Sequence, residues 1–401
     1  MTDYETIIVG GGPAGASAAI HLAREGARVL LAEQRRFPRA KLCGEFISPE
    51  CLTHFARLGV TEGMRDAGGA EVCETVFYAR GGRSVAVLSK WFGGGAAALG
   101  LSRAEMDSRL LERAREAGVE VFEETSFGGL LVEGSRVRGV RLKMSDGTER
   151  EFSSRVTIDA TGRQRILARS FERVAGNAKE KRSRPRLVAF KAHLEGARGA
   201  ARACEIYFYG GGYGGLSPVE GGLSNLCFIA RAADVRERGS DAGRVLSEVL
   251  MRNARAAETL KDARAVTEWL GVSLESFGRH EPAPAEGLLA VGDAAAFIDP
   301  FTGSGMLMAL ESGELAASAL AAWLQRTKRG GAEDFASLAR AYRALYAERF
   351  DARLRLCGLL RRAAFAPTAV TEIAALALSS SARLRRGVAR ATRGAALSAS
   401  K

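Results

Sequence analysis

The feature that most constrains the fold is the opening stretch "ETIIVGGGPAGASAAIHLAREGARVLLAEQ". A short apolar run enters a glycine-rich turn, an alanine-rich helical segment closes at Gly26, and a second apolar run ends at Glu33. That order predicts a β-α-β unit and with it a parallel α/β sheet. In the spacing Gly10-x-Gly12-x-x-Gly15 the first glycine permits a tight turn, the second close backbone approach to a pyrophosphate, and the third close packing of helix on strand. Glu33, eighteen residues past Gly15, stands where an acid accepts hydrogen bonds from a ribose.

The rest of the chain extends this theme. "RAEMDSRLLERAREAG" reads as a helix with Met106, Leu110 and Leu111 on one face, and "VEVFEE" as the strand after it. Around "SDGT" the apolar period changes to two, which predicts a hairpin. "RVTIDATG" then returns to the nucleotide fold, and residues 176–186, charged and holding a proline, read as an exposed connection. "LVAFKAHLE", "CEIYFYGGGYGGLSP" and "LSNLCFIARA" read as strands of an antiparallel second domain.

Composition narrows the function classes. At 401 residues and 47% hydrophobic content the chain can bury a large core. Six cysteines without a CxxC pair suit reduced thiols in a cytoplasmic protein, and four scattered histidines argue against a metal site. The N-terminus predicts neither a signal peptide nor a span. Of the net charge of +12, a surplus of eight lies in residues 351–401, where ten Arg/Lys face only Asp351 and Glu372. Two readings of that tail stand side by side: a basic amphipathic surface making peripheral contact with an anionic membrane, or helices covering the second domain with a solvated arginine face. Nucleic acid is disfavoured, because no aromatics interleave with the charge.

Several segments together resemble the superfamily of FAD-dependent geranylgeranyl reductases and aromatic hydroxylases. "GDAAAFIDPFTGSGM" is similar to its second FAD fingerprint. The resemblance implies that Gly292, Asp293, Pro300, Gly303, Gly305 and Met306 meet the ribityl chain and isoalloxazine. "LSRAEMDSRLLERA" resembles the helix whose arginine, here Arg103, lies near the pyrophosphate, and "TIDATGRQRILAR" resembles the Asp-Gly fingerprint, with Asp159 and Gly162 in its central places. "RRFPRAKLCGEFISPE" resembles the reductase segment that holds a cysteine close to the flavin, with Glu45 in place of its second glycine. The implied FAD site adds Pro13, Ala14, Gln34, Arg35, Lys41 and Cys43 to Gly10, Gly12, Gly15 and Glu33. Cys43 and Glu45 are the candidate catalytic residues, Glu45 as a proton donor if burial raises its pKa. "GGGYGGLSPVEGG" resembles the substrate-domain motif, with Tyr213 and Pro218 as candidate substrate contacts. The tryptophan of the flavin halogenases is missing there, as is a lysine.

These observations predict an α/β fold: a discontinuous Rossmann-like FAD-binding domain (1–75, 100–172 and 283–325), a β-rich substrate domain (76–99 and 173–282), and a helical basic C-terminal region (326–401). The expected activity is that of an oxidoreductase of geranylgeranyl-reductase type, its flavin reduced by NAD(P)H, acting on a hydrophobic isoprenoid or polyketide. A flavin monooxygenase is the alternative. A flavin-binding protein without activity is the reading of another class.

Overall fold

The computed structural model describes residues 3–93, 97–176, 186–274, 277–331, 334–364 and 368–393. Five strands pair in parallel in the order 120–122, 29–32, 4–9, 149–159 and 288–290, so chain segments far apart in sequence share one sheet. Glu149–Asp159 serves two sheets at once. Its first half pairs antiparallel with Arg136–Lys143, as the hairpin signal predicts, and its second half lies parallel to Tyr4–Val9. The second strand of the expected hairpin and the expected return strand are thus one eleven-residue element.

Helix Pro13–Arg24 crosses helix Gly305–Lys328 at very short range. A Cβ on Gly313 would lie 2.4 Å from the Ala14 carbonyl oxygen, and Ser17 Oγ donates to the Leu310 carbonyl at 2.9 Å. Only small residues allow that approach, and it fixes the start of helix Gly305–Lys328 against the glycine turn. This helix is long and apolar enough to cross a bilayer, yet 72% of its most apolar window is buried within the protein. It packs into the same apolar cluster as Tyr342, Tyr346 and Phe350 of helix Phe335–Ala364.

The second large sheet runs 264–265, 187–195, 224–231, 212–218, 203–209, 74–78 and 84–88, with 270–274 also on 187–195. A boundary placed after residue 75 therefore falls inside the strand Glu74–Tyr78. Of the connection expected at 176–186, residues 177–185 lie outside the described residues, as does 394–401 of the basic tail.

Neither sequence reading of the tail anticipates where its arginines point. Arg353 and Arg393 are buried. Arg353 Nη1 donates to Glu311 Oε2 at 2.8 Å, and its Nη2 to the Arg393 carbonyl. Arg393 Nη1 in turn donates to the Gly303 carbonyl at 2.8 Å, and its guanidinium covers the Phe92 ring at 4.2 Å. Arg361 lies 4.0 Å over Phe277 and pairs with Asp299 at 2.9 Å. Arg355, Arg362, Arg383 and Arg386 remain exposed. Three of the tail's arginines thus tether helices to the body, and one tether ends at Gly303, at the start of the long helix.

Candidate functional site

The three glycines of the first turn differ in what surrounds them. A Cβ on Gly10 would meet the Ala160 carbonyl oxygen at 2.3 Å, and one on Gly15 the Gly10 carbonyl oxygen at 1.9 Å, so both are packing requirements. A Cβ on Gly12 would find only Arg103 Nη2 at 3.8 Å and Arg39 Nη2 at 3.9 Å. Gly12 leaves an opening between two guanidinium groups at a helix N-terminus, which is the geometry of an anion cradle.

Asp107, which the sequence reading missed, holds those two arginines. It is fully buried and takes Arg103 Nε at 2.8 Å and Nη2 at 2.7 Å, while Arg39 Nη1 pairs with it at 3.2 Å. The i, i+4 spacing of Arg103 and Asp107 on one helix is the signal that would have found it. Arg39 Nε is buried and has no hydrogen-bond partner among the described residues. Glu33 is buried beside the turn; its Oε2 accepts from the Gly11 N–H at 2.9 Å and its Oε1 from the Arg35 N–H at 3.0 Å. Gln34, Arg35 and Lys41 are exposed, as is Pro300.

Asp293 is half-buried with no hydrogen-bond partner among the described residues. Burial pushes its carboxyl up to about 6, against the opposing pull of Arg103, Lys41 and Arg163. The folded-state value lies above the ordinary 3.8, so ionised Asp293 disfavours the native state at neutral pH, and the penalty is relieved as pH falls from about 7 to about 4. Asp293→Asn is therefore expected to stabilise the flavin-free protein by about 1–3 kcal/mol at pH 7, with the gain fading below about pH 4. Urea denaturation at the two pH values checks it.

Asp159 is not free for a ligand. Its Oδ1 accepts from the Thr161 N–H at 3.0 Å and hydroxyl at 2.6 Å, and its Oδ2 from the Ala168 N–H at 3.0 Å. Its side chain shapes the turn at Gly162, which has φ 73°. Tyr213 is likewise engaged with a neighbouring turn. It is buried, and its hydroxyl donates to Asp299 Oδ1 at 2.5 Å while accepting from the Phe301 N–H at 3.1 Å. The hydroxyl braces the Asp299–Thr302 turn. Pro218 is half-buried at the end of its strand, where its carbonyl oxygen would lie 1.8 Å from a Cβ on Gly100. Gly292 N–H donates to Ser312 Oγ at 2.8 Å, and Gly305 and Met306 begin the long helix above it.

The Lys41–Phe46 loop joins the two halves of the site. Leu42 and Phe46 enter an apolar cluster with Ala189, Ile206, Tyr213 and Ile229 of the large sheet, rimmed by Phe208, Phe277, Phe297 and Phe301. Between them Cys43 is half-buried, next to the Arg103 guanidinium. Glu45 is fully buried and accepts from the Arg103 N–H at 2.8 Å, from Lys191 Nζ, and from His193 Nε2 at 2.6 Å. Burial pushes its carboxyl up, but the His193 hydrogen bond, the Lys191 ammonium and the Arg103 N–H outweigh burial and hold it below the ordinary carboxylate range. The expected role of Glu45 as a raised-pKa proton donor is thereby corrected: it is an ionised acceptor.

Fold and site together define a flavin-dependent enzyme. The chain belongs to the family described as FAD binding domain, whose model matches residues 3–349, and FAD is its cofactor. Digeranylgeranylglycerophospholipid reductase of Methanosarcina mazei is 30% identical over 322 residues, which make up 79% of this chain and 74% of that protein. A flavin-dependent halogenase of Armillaria mellea is 27% identical over 351 residues, 79% of this chain and 67% of that protein. The flavin-dependent brominase Bmp2 has the same fold: TM-score 0.81 at 21% identity, covering 98% of this chain and 93% of that structure. The family is thus one of FAD-dependent oxidoreductases whose members include reductases and halogenases.

The residues present fit FAD. The Gly12 opening, the unpartnered Arg39 Nε and the unpartnered Asp293 carboxylate offer two donors for phosphate and one acceptor for hydroxyls.

Proposed function

We propose that this chain is a reductase of geranylgeranyl-reductase type, which saturates a carbon–carbon double bond in a hydrophobic, isoprenoid-like small molecule with NAD(P)H as reductant. The observation that carries the reading is the Lys41–Phe46 loop. It sets a half-buried thiol, Cys43, between the phosphate-binding end of the FAD site and an apolar wall of Ile206, Ile229, Phe208 and Phe301. The 30% identity to a reductase of an isoprenoid lipid supports it.

In this reading Gly12, Arg39 and Arg103 hold the pyrophosphate, Glu33 the adenosine ribose, and Asp293 the ribityl chain. Gly303 and Gly305 open the helix N-terminus that favours negative charge on the flavin ring. Bound FAD would supply a two-electron redox centre between NAD(P)H and the substrate carbon. The apolar wall excludes water from the double bond and orients it. Cys43 would supply the proton that the second carbon needs.

Oxygenation of the same class of substrate is the second reading. It is favoured by the 210–222 stretch, which holds no tryptophan and carries the small Gly215. Photoreduced enzyme mixed with geranylgeraniol in the absence of oxygen separates the two: reoxidation of the flavin supports reduction, and flavin that stays reduced until air enters contradicts it.

A further inference from the structure

With Arg353, Arg361 and Arg393 engaged by the body, what the C-terminal helices turn outward is apolar and cationic together. Among the described residues six large apolar side chains are exposed, and four of them, Leu359, Ile373, Leu376 and Leu384, lie on these helices. Ile373 is the most exposed of all, at 68%. Helical spacing gathers them into stripes. On Phe335–Ala364 the exposed Arg355, Leu359 and Arg362 follow one another at four and three residues. On Thr368–Ser380, Ile373 and Leu376 face out, while Ala375 and Leu378 pack inward on Ala79 and Val85. On Ala382–Ala391, Arg383, Leu384 and Arg386 are exposed, whereas Ala389 is buried in the apolar cluster that receives the Cys43 loop.

The last two helices are tied to each other and to the body. Arg385 Nη1 donates to the Leu378 and Ser379 carbonyls, both at 2.8 Å, and so fills acceptors that the end of a helix leaves open. Glu372 Oε1 accepts from the Gly81 N–H at 2.9 Å, which draws its helix onto the hairpin beneath. Glu372 is also the one acid between residues 352 and 393, and this bond turns it inward. The outward face therefore carries arginines with no carboxylate of its own.

A face that meets only water is served by mixed charges. Single exposed apolar residues are ordinary, but a group of them set among cations marks an interaction surface. Tyrosine and tryptophan, the usual anchors of a protein interface, are absent from residues 351–401. Leucine and isoleucine flanked by arginine match a different partner. The apolar side chains enter the boundary between lipid headgroups and acyl chains, and the long arginine stems carry their guanidinium groups back to the phosphates.

We propose that the outer stripes of these three helices form a docking surface for an anionic lipid bilayer. Leu359, Ile373, Leu376 and Leu384 insert, and Arg355, Arg362 and Arg383 pair with lipid phosphates. Because Ala389 places the inner side of this surface in the apolar cluster around the Cys43 loop, the surface and the candidate site are two sides of one helix. On the reductase reading, a docked enzyme takes its isoprenoid-like substrate directly from the bilayer.

The test is sedimentation of the full-length, FAD-loaded chain with vesicles of phosphatidylglycerol mixed with phosphatidylcholine, and with vesicles of phosphatidylcholine alone. Wild type is expected to bind the mixed vesicles at least about tenfold more tightly, and to lose most of that preference between about 0.05 and 0.5 M salt. Ile373→Ser combined with Leu376→Ser is expected to weaken binding to mixed vesicles by about tenfold or more. Arg362→Gln combined with Arg383→Gln should do the same, at about fivefold per arginine. Arg236→Gln combined with Arg252→Gln removes the same charge from exposed positions of other elements and is expected to change binding by no more than about twofold. All six positions tolerate polar side chains on exposure grounds, and thermal denaturation checks that each variant is folded. Wild type that sediments with neither vesicle overturns the proposal, as does a serine variant that binds like wild type. Equal losses from the two arginine pairs overturn it too, since net charge alone then explains the binding. Capture by polyglutamate without vesicle binding assigns the face to an acidic protein instead. No alkene or NAD(P)H is present, so the result is independent of whether a double bond is reduced.

Discussion

Gly12→Val is expected to yield a folded, colourless protein with at least about hundredfold weaker FAD binding, close to 3 kcal/mol. Gly12 has φ −73° and ψ −177°, ordinary extended values that any residue adopts. A valine there meets no backbone, since the nearest atoms to its Cβ are the flexible ends of Arg103 and Arg39 at 3.8 and 3.9 Å. What it fills is the opening through which the turn's backbone would approach a pyrophosphate. Gly10 and Gly15 behave differently: side chains there collide with backbone carbonyls, so losing either glycine should lower stability as well. Flavin absorbance and thermal denaturation of the purified variant check both halves. A yellow Gly12→Val protein would remove this turn from the cofactor site.

Arg353→Ala is expected to cost about 3–5 kcal/mol of stability, because it leaves the buried Glu311 carboxylate with one cationic partner fewer. The Arg353 side chain is fully enclosed and bridges Glu311 of one helix to the Arg393 carbonyl near the end of another. Arg349 still reaches Glu311, with Nε at 3.1 Å, so the carboxylate is weakened in its support but not abandoned. The effect should reach the cofactor. Arg393 holds the Gly303 carbonyl and Ser304 Oγ at the start of the long helix, and a loosened Arg393 should weaken FAD binding along with the fold. Arg355→Ala, two residues away on the exposed face, should change stability by no more than about 0.5 kcal/mol. Urea midpoints for the two variants measure the contrast.

The nucleotide-binding half was legible because its constraints are local. Glycines at fixed offsets, an acid at a strand end and an arginine opening a helix are readable wherever a strand-turn-helix forms. What could not be read was anything requiring two distant segments at once. Glu45 lies 146 residues from Lys191 and 148 from His193, and an alternating strand such as "LVAFKAHLE" gives no sign of which face meets which loop. Reading Glu45 as an isolated buried acid gave a raised pKa; the two bases that reverse the direction come from another sheet. The same reasoning explains the tail. A helix rich in arginine looks solvated until its partner is known, and Glu311 stands 42 residues before Arg353 inside a mostly apolar helix. Tyr213 and Asp159 fall at the motif places, but their polar atoms are spent on neighbouring turns.

Addition of hydrogen to a double bond is the activity proposed for this FAD enzyme. The mass of the product formed from geranylgeraniol, NAD(P)H and the purified holoenzyme under labelled oxygen decides whether it occurs. A product heavier by two hydrogens, formed equally well without oxygen, is the expected result. Incorporation of labelled oxygen, with no product in its absence, would contradict the reductase assignment.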